Sequence, residues 1–123
     1  VNLRIGTAVQ LVFSDPWDFP PVPGPLLGTV ERYSTRSAGG SPEQVLLRLQ
    51  DPADWRDQKV EYFVATGRSA PDFLEELGHG ESVTCNLVAI PLERALGDAP
   101  LDTGWWRGGL SAIATVAALQ QGH

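Results

Sequence analysis

Apolar residues along this chain gather in short runs rich in β-branched and aromatic side chains, cut by proline and glycine rather than spaced for a helix. Leu3 to Ser14 (LRIGTAVQLVFS) predicts a first strand. It is closed off at Asp15-Pro16, where proline withdraws the N–H that a central ladder needs. Phe19 to Pro25 holds four prolines and predicts extended loop or polyproline II. Leu26 to Ser34 (LLGTVERYS) predicts a second strand and Gln44 to Gln50 (QVLLRLQ) a third. The turn chemistry of Ser37 to Pro42 between them predicts a hairpin.

Asp51 to Gln58 reads as a polar connection, and Lys59 to Thr66 (KVEYFVAT) as a fourth strand. Val60, Tyr62 and Val64 alternate with Glu61, Phe63 and Ala65, so both faces carry apolar groups. That pattern belongs to a central strand or to the wall of a closed barrel. Ser69-Ala-Pro-Asp72 predicts a helix start, with Ser69 as N-cap, Pro71 in the first turn and Asp72 placed to return a capping bond. Phe73, Leu74 and Leu77 form its apolar stripe and Gly78 its stop. Glu81 to Ile90 predicts a fifth strand, with Val83, Cys85, Leu87 and Ala89 on one face and Pro91 ending it. One helical turn is expected over Leu92 to Leu96 and a loop over Asp98 to Gly104. A sixth strand is expected within Trp105 to Leu119, starting near Gly109. The alanines of Gly109 to Gln121 also suit a helix. Ile113, Thr115, Val116 and the preceding glycine pair favour the strand.

Six strands with one short helix before the fifth predict a single all-β domain over residues 1–123, a small six-stranded, mainly antiparallel barrel. A two-sheet sandwich is the alternative. Closure would bury apolar edges such as Ala8 to Phe13, which otherwise invite edge-to-edge aggregation.

The composition sharpens this picture. Among 123 residues there are 13 glycines and 10 prolines, more than average usage. They concentrate in Asp15 to Pro25, Ser37 to Pro42 and Gly97 to Gly109, as short strands joined by tight loops require. Fifteen acidic side chains against nine basic give a formal charge of −6. With no basic stretch, nucleic acid is not an expected partner, because that affinity comes from Lys and Arg neutralising phosphates. The single cysteine, Cys85, has no partner within the chain for a disulfide. No charged segment followed by an apolar core opens the sequence, and the least polar run, Gly108 to Leu119, is too short to span a bilayer as a helix. A soluble cytoplasmic protein without membrane contact is the expectation.

Candidate chemistry starts from an internal echo. The first strand runs into Asp15-Pro-Trp17-Asp18 and the third into Asp51-Pro-Ala-Asp54-Trp55. Asp-Pro is a good way to leave a strand, since the carboxylate can accept backbone N–H bonds in an Asx-turn. The same residues could also form a rim of carboxylates and indoles. In a simple meander the first and third strands run the same way, so both loops would share a pole. Trp105 and Trp106 precede the sixth strand; on a strand their rings point to opposite faces, one into the core and one outward, with Arg107 able to flank the exposed ring. The candidate binding residues are therefore Asp15, Trp17, Asp18, Asp51, Asp54, Trp55, Trp106 and Arg107.

Other chemistry is sparse. One cysteine and one internal histidine, His79, cannot supply a closed zinc site of nitrogen and sulfur ligands. His79 lies between Gly78 and Gly80 and reads as an exposed turn residue; no Gly-x-Ser-x-Gly elbow is present. Cys85 falls on the apolar register of its strand and reads as a small core residue. The run from Asp51 to Asp57 lacks the glycine and terminal glutamate of an EF-hand loop. The glycine pairs lack the lysine of a phosphate loop. No metal or cofactor is expected. The expected function is a non-enzymatic binding domain for a protein or small molecule, with self-association as a further option. The alternatives are a small hydrolase using two of Asp15, Asp18, Asp51 and Asp54, and a purely structural domain.

Overall fold

The pleated backbone gives β-branched and aromatic side chains room that a helix denies them, and each of the six runs so composed forms a strand. The computed structural model describes residues 3–15, 25–34, 43–55, 58–67, 72–89 and 111–119. The strands are β1 (Ala8–Asp15), β2 (Leu26–Ser34), β3 (Gln44–Trp55), β4 (Gln58–Gly67), β5 (Ser82–Ala89) and β6 (Ser111–Ala118), with α1 (Phe73–Gly78) between β4 and β5. Each strand pairs antiparallel with the next, and β6 returns to β1, closing the sheet in the order β1-β2-β3-β4-β5-β6. Of the two architectures weighed, the barrel forms, and Ser111–Ala118 is strand rather than helix. Among the described residues no helix is long and apolar enough to cross a membrane.

Alternation along the strands fills the barrel. Val9 and Leu11 of β1, Val45 and Leu47 of β3, Phe63 and Ala65 of β4, and Leu87 of β5 are buried in one cluster. Phe73, Leu74 and Leu77 of α1 belong to the same cluster, so the helix closes the end of the barrel where β4 finishes and β5 begins. The walls approach closely at Gly28: a Cβ there would stand 2.9 Å from the Arg48 carbonyl oxygen.

The barrel wall is also buried on part of its outside. Leu46 stands opposite Val64, and Val64 opposite Val88. All three are buried yet lie outside the interior cluster. This is why β4 shows no clean apolar–polar alternation: both of its faces are removed from water.

Four local expectations are corrected. β1 begins at Ala8, not Leu3, because Gly6 takes a left-handed conformation (φ +91°) and the chain turns there. The turn is tied down by Thr7, whose hydroxyl donates to the Arg4 carbonyl (2.6 Å), and by Gly6 N–H donating to the Val30 carbonyl (2.7 Å). Second, residues 51–55 continue β3 instead of forming a polar connection, so Asp51-Pro52 does not end its strand as Asp15 does. The ladder passes from Arg48↔Tyr62 to Ala53↔Val60, setting residues 49–52 against Glu61 alone. That large bulge accommodates Pro52, which could not sit in an unbroken central ladder.

Third, the N-cap of α1 is Asp72, not Ser69, and its side chain makes no capping bond. The Leu74 N–H instead donates to Glu43 Oε1 at 3.4 Å. Fourth, Gly78 lies inside the helix, and the left-handed residue that stops it is Gly80 (φ +79°). Gly80 N–H donates to the Leu77 carbonyl and Glu81 N–H to the Glu76 carbonyl, both at 3.1 Å, forming a Schellman motif.

Candidate functional site

In a closed barrel whose neighbouring strands all run antiparallel, alternate strands run the same way. β1, β3 and β5 therefore finish at one pole, where β2, β4 and β6 begin. Asp15 ends β1 there, and Asp51, Asp54 and Trp55 lie on the last stretch of β3. β1 and β3 flank the start of β2, their axes two inter-strand spacings apart, about 10 Å. The shared pole expected from a simple meander is thus present for the four candidate residues that the structure describes.

The β3–β4 ladder runs on to Trp55↔Gln58. By contrast, the β2–β3 ladder reaches only Gly28↔Leu49 and the β4–β5 ladder only Phe63↔Ala89 among the described residues. Asp51 and Asp54, on the last stretch of β3, are both exposed. Asp54 stands directly across from Lys59, also exposed, an opposite-charge cross-strand pair that favours this register.

Trp17, Asp18, Trp106 and Arg107 lie outside the described residues. In sequence, Trp17 and Asp18 follow the end of β1, and Trp106 and Arg107 precede the start of β6. Both strand ends belong to this pole. The predicted helical turn at residues 92–96 and the loop at 98–104 also fall outside the described residues.

The remaining reactive side chains occupy structural positions. His79 is exposed at the C-cap of α1, its Nε2 3.7 Å from Glu75 Oε1. Cys85 is buried in the barrel interior, and loss of solvation pushes its thiol up to about 12. Burial disfavours the thiolate that nucleophilic chemistry would need. Among the described residues no group of three or more His, Cys, Asp or Glu side chains forms a cluster that could hold a metal ion.

One concave feature escaped the sequence reading. An open recess of about 270 Å³ lies at the opposite end of β1, lined by Arg4, Ile5, Gly6, Thr7 and Leu119. Its signal in the sequence is Gly6, a glycine inside an otherwise continuous strand pattern.

No family model, curated protein or solved structure matches this chain. The class is set by the fold: a closed six-stranded antiparallel barrel with one short helix, α1, at the end where β4 finishes and β5 begins.

Proposed function

We propose that this barrel is a non-enzymatic binding domain that receives a cationic group, carried by a protein or a small molecule, at the pole where β1 and β3 end. The observation that carries this reading is the convergence of Asp15 with Asp51, Asp54 and Trp55 on either side of the start of β2. The exposed carboxylates of Asp51 and Asp54 attract a cation without the desolvation cost of a buried charge. The formal charge of −6 steers cations toward the molecule from a distance. Barrel closure removes the free edges on which a partner strand could be added, leaving poles and outer walls as contact surfaces.

Tryptophan emission tests the reading, with tetramethylammonium and a short lysine-rich peptide as probes. The expected result is a saturable change that weakens with salt and is reduced in Trp17→Ala and Trp55→Ala. Emission that neither probe alters, or folded variants that respond as the wild type does, would contradict it.

A further inference from the structure

The segment ahead of β1 is held against the barrel at several points. Leu3 is buried in the interior cluster. Arg4 to Thr7 then form a β-turn, in which the Thr7 N–H (3.1 Å) and the Thr7 hydroxyl (2.6 Å) both donate to the Arg4 carbonyl. Gly6 N–H donates to the Val30 carbonyl (2.7 Å), which ties the turn to β2. Leu119 N–H donates to the Ala8 carbonyl (2.8 Å), which ties the end of β6 to the start of β1. Between these two anchored stretches lies the recess of about 270 Å³ lined by Arg4, Ile5, Gly6, Thr7 and Leu119. It is open over Gly6, where an added Cβ would meet nothing within 4 Å.

Two kinds of group are left to water there. Ile5 is 59 % exposed and Leu119 38 %. The Arg4 side chain is exposed and makes no ion pair among the described residues. Nor does any described carboxylate line the recess: on the adjoining β2, Glu31 faces Arg48 across 3.8 Å. We propose that the recess binds a small aliphatic carboxylate, with its head on the Arg4 guanidinium and its tail across Ile5 and Leu119.

Charge and size select that occupant. A hydrocarbon alone would cover Ile5 and Leu119 but strip water from an unpaired guanidinium. An inorganic anion would meet the guanidinium and leave both apolar side chains wet. A carboxylate matches the planar guanidinium fork, one charge against one. A doubly charged phosphate would need a second cation, and Arg4 is the one cation lining the recess. The volume falls at the lower end of small-molecule sites, which limits the tail to a few carbons. Because the walls are tied in place, binding has little chain left to order.

The formal charge of −6 does not cancel this attraction. Asp15 stands seven steps along β1 from Ala8, about 23 Å at the rise of a strand. That is more than two Debye lengths at physiological salt, about 8 Å each. The recess and the acidic pole therefore lie at opposite ends of β1, and the two sites stand or fall separately.

Backbone amide shifts during titration with sodium hexanoate test the proposal, with acetate and 1-hexanol as the head and the tail alone. Hexanoate is expected to give saturable shifts at Ile5, Gly6, Thr7 and Leu119, with Asp51 and Asp54 unmoved. Acetate and hexanol should each bind at least about threefold more weakly. Arg4→Gln should weaken hexanoate by about threefold, the scale of a surface ion pair, without changing hexanol binding. Arg4→Lys should restore part of the loss. Ile5→Ser should weaken hexanoate and spare acetate. Both side chains are exposed, so the remaining amide shifts should stay as in the wild type and report an intact fold. Three results would overturn the proposal. They are recess amides that saturating hexanoate does not shift, acetate or hexanol binding as tightly as hexanoate, and an Arg4→Gln variant that binds hexanoate as the wild type does.

Discussion

Glu43, just ahead of β3, accepts a hydrogen bond from the Leu74 N–H in the first turn of α1, with Oε1 to N at 3.4 Å. A helix start leaves N–H groups without intrahelical partners, and here a carboxylate distant in sequence serves where the local N-cap residue does not. Glu43→Ala is therefore expected to destabilise the fold by about 1 kcal/mol, the usual worth of a cap. Asp72→Ala should cost clearly less. Urea titrations of the two variants check the order, and a larger loss for Asp72→Ala would contradict it.

The two glycine positions are held for different reasons and should fail differently. At Gly80 a new Cβ would meet only the Ala118 carbonyl oxygen, at 3.9 Å, so Gly80→Ala costs only the left-handed backbone strain, about 1–2 kcal/mol. At Gly28 the new Cβ would press on the Arg48 carbonyl from 2.9 Å. β2 and β3 would have to move apart, at a cost of about 1–3 kcal/mol in packing. Amide exchange separates the mechanisms: Gly28→Ala should loosen the β2–β3 ladder, and Gly80→Ala should not.

Cys85 should resist alkylation in the native protein and react only on unfolding, because burial holds its thiol neutral. The same shift gives a pH dependence. The unfolded chain loses this proton near 9.0 and the folded chain near 12. Below the lower value the thiol leaves stability unaffected by pH. Between the two values stability falls as pH rises, by at most about 1.4 kcal/mol per pH unit from this group. Comparing the wild type with Cys85→Ala isolates the effect: the variant should show a flatter decline across that window.

Phe63 fills the barrel interior, with the Phe13 ring meeting it edge-on at 6.0 Å and 66°. Phe63→Ala should cost about 3–5 kcal/mol, as expected for removing a fully buried aromatic ring from a packed core. A loss below about 1 kcal/mol would mean that the interior refills the space.

The strands and their closure were legible because they rest on local chemistry and parity. β-branched runs fix the extended segments, and the two apolar faces of β4 already argued for a wall buried on both sides. The extension of β3 was not legible, because Asp51, Pro52 and Asp54 carry the residue types of a turn. Only the ladder to Val60, Lys59 and Gln58 shows that the chain stays extended through a bulge. The cap on α1 was hidden for a related reason: local rules search the residues beside a helix, and Glu43 is 31 positions from Leu74. Gly78 and Gly80 bracket His79 symmetrically in sequence, and only the backbone angle distinguishes the stop. At the candidate site, Asp15, Asp51, Asp54 and Trp55 follow from strand parity, which a meander implies before any coordinates are known. The recess beside Ile5 and Leu119 joins the two ends of the described chain and had no contiguous motif.

The most direct test of the acidic pole as a binding site is an amide chemical-shift titration with a short lysine-rich peptide. The expected result is saturable shifts at Asp15, Asp51, Asp54, Trp55 and Lys59, with Ala8, Ser34, Gly67 and His79 at the opposite pole unmoved. Shifts confined to that opposite pole, or none at saturating peptide, would contradict the proposal.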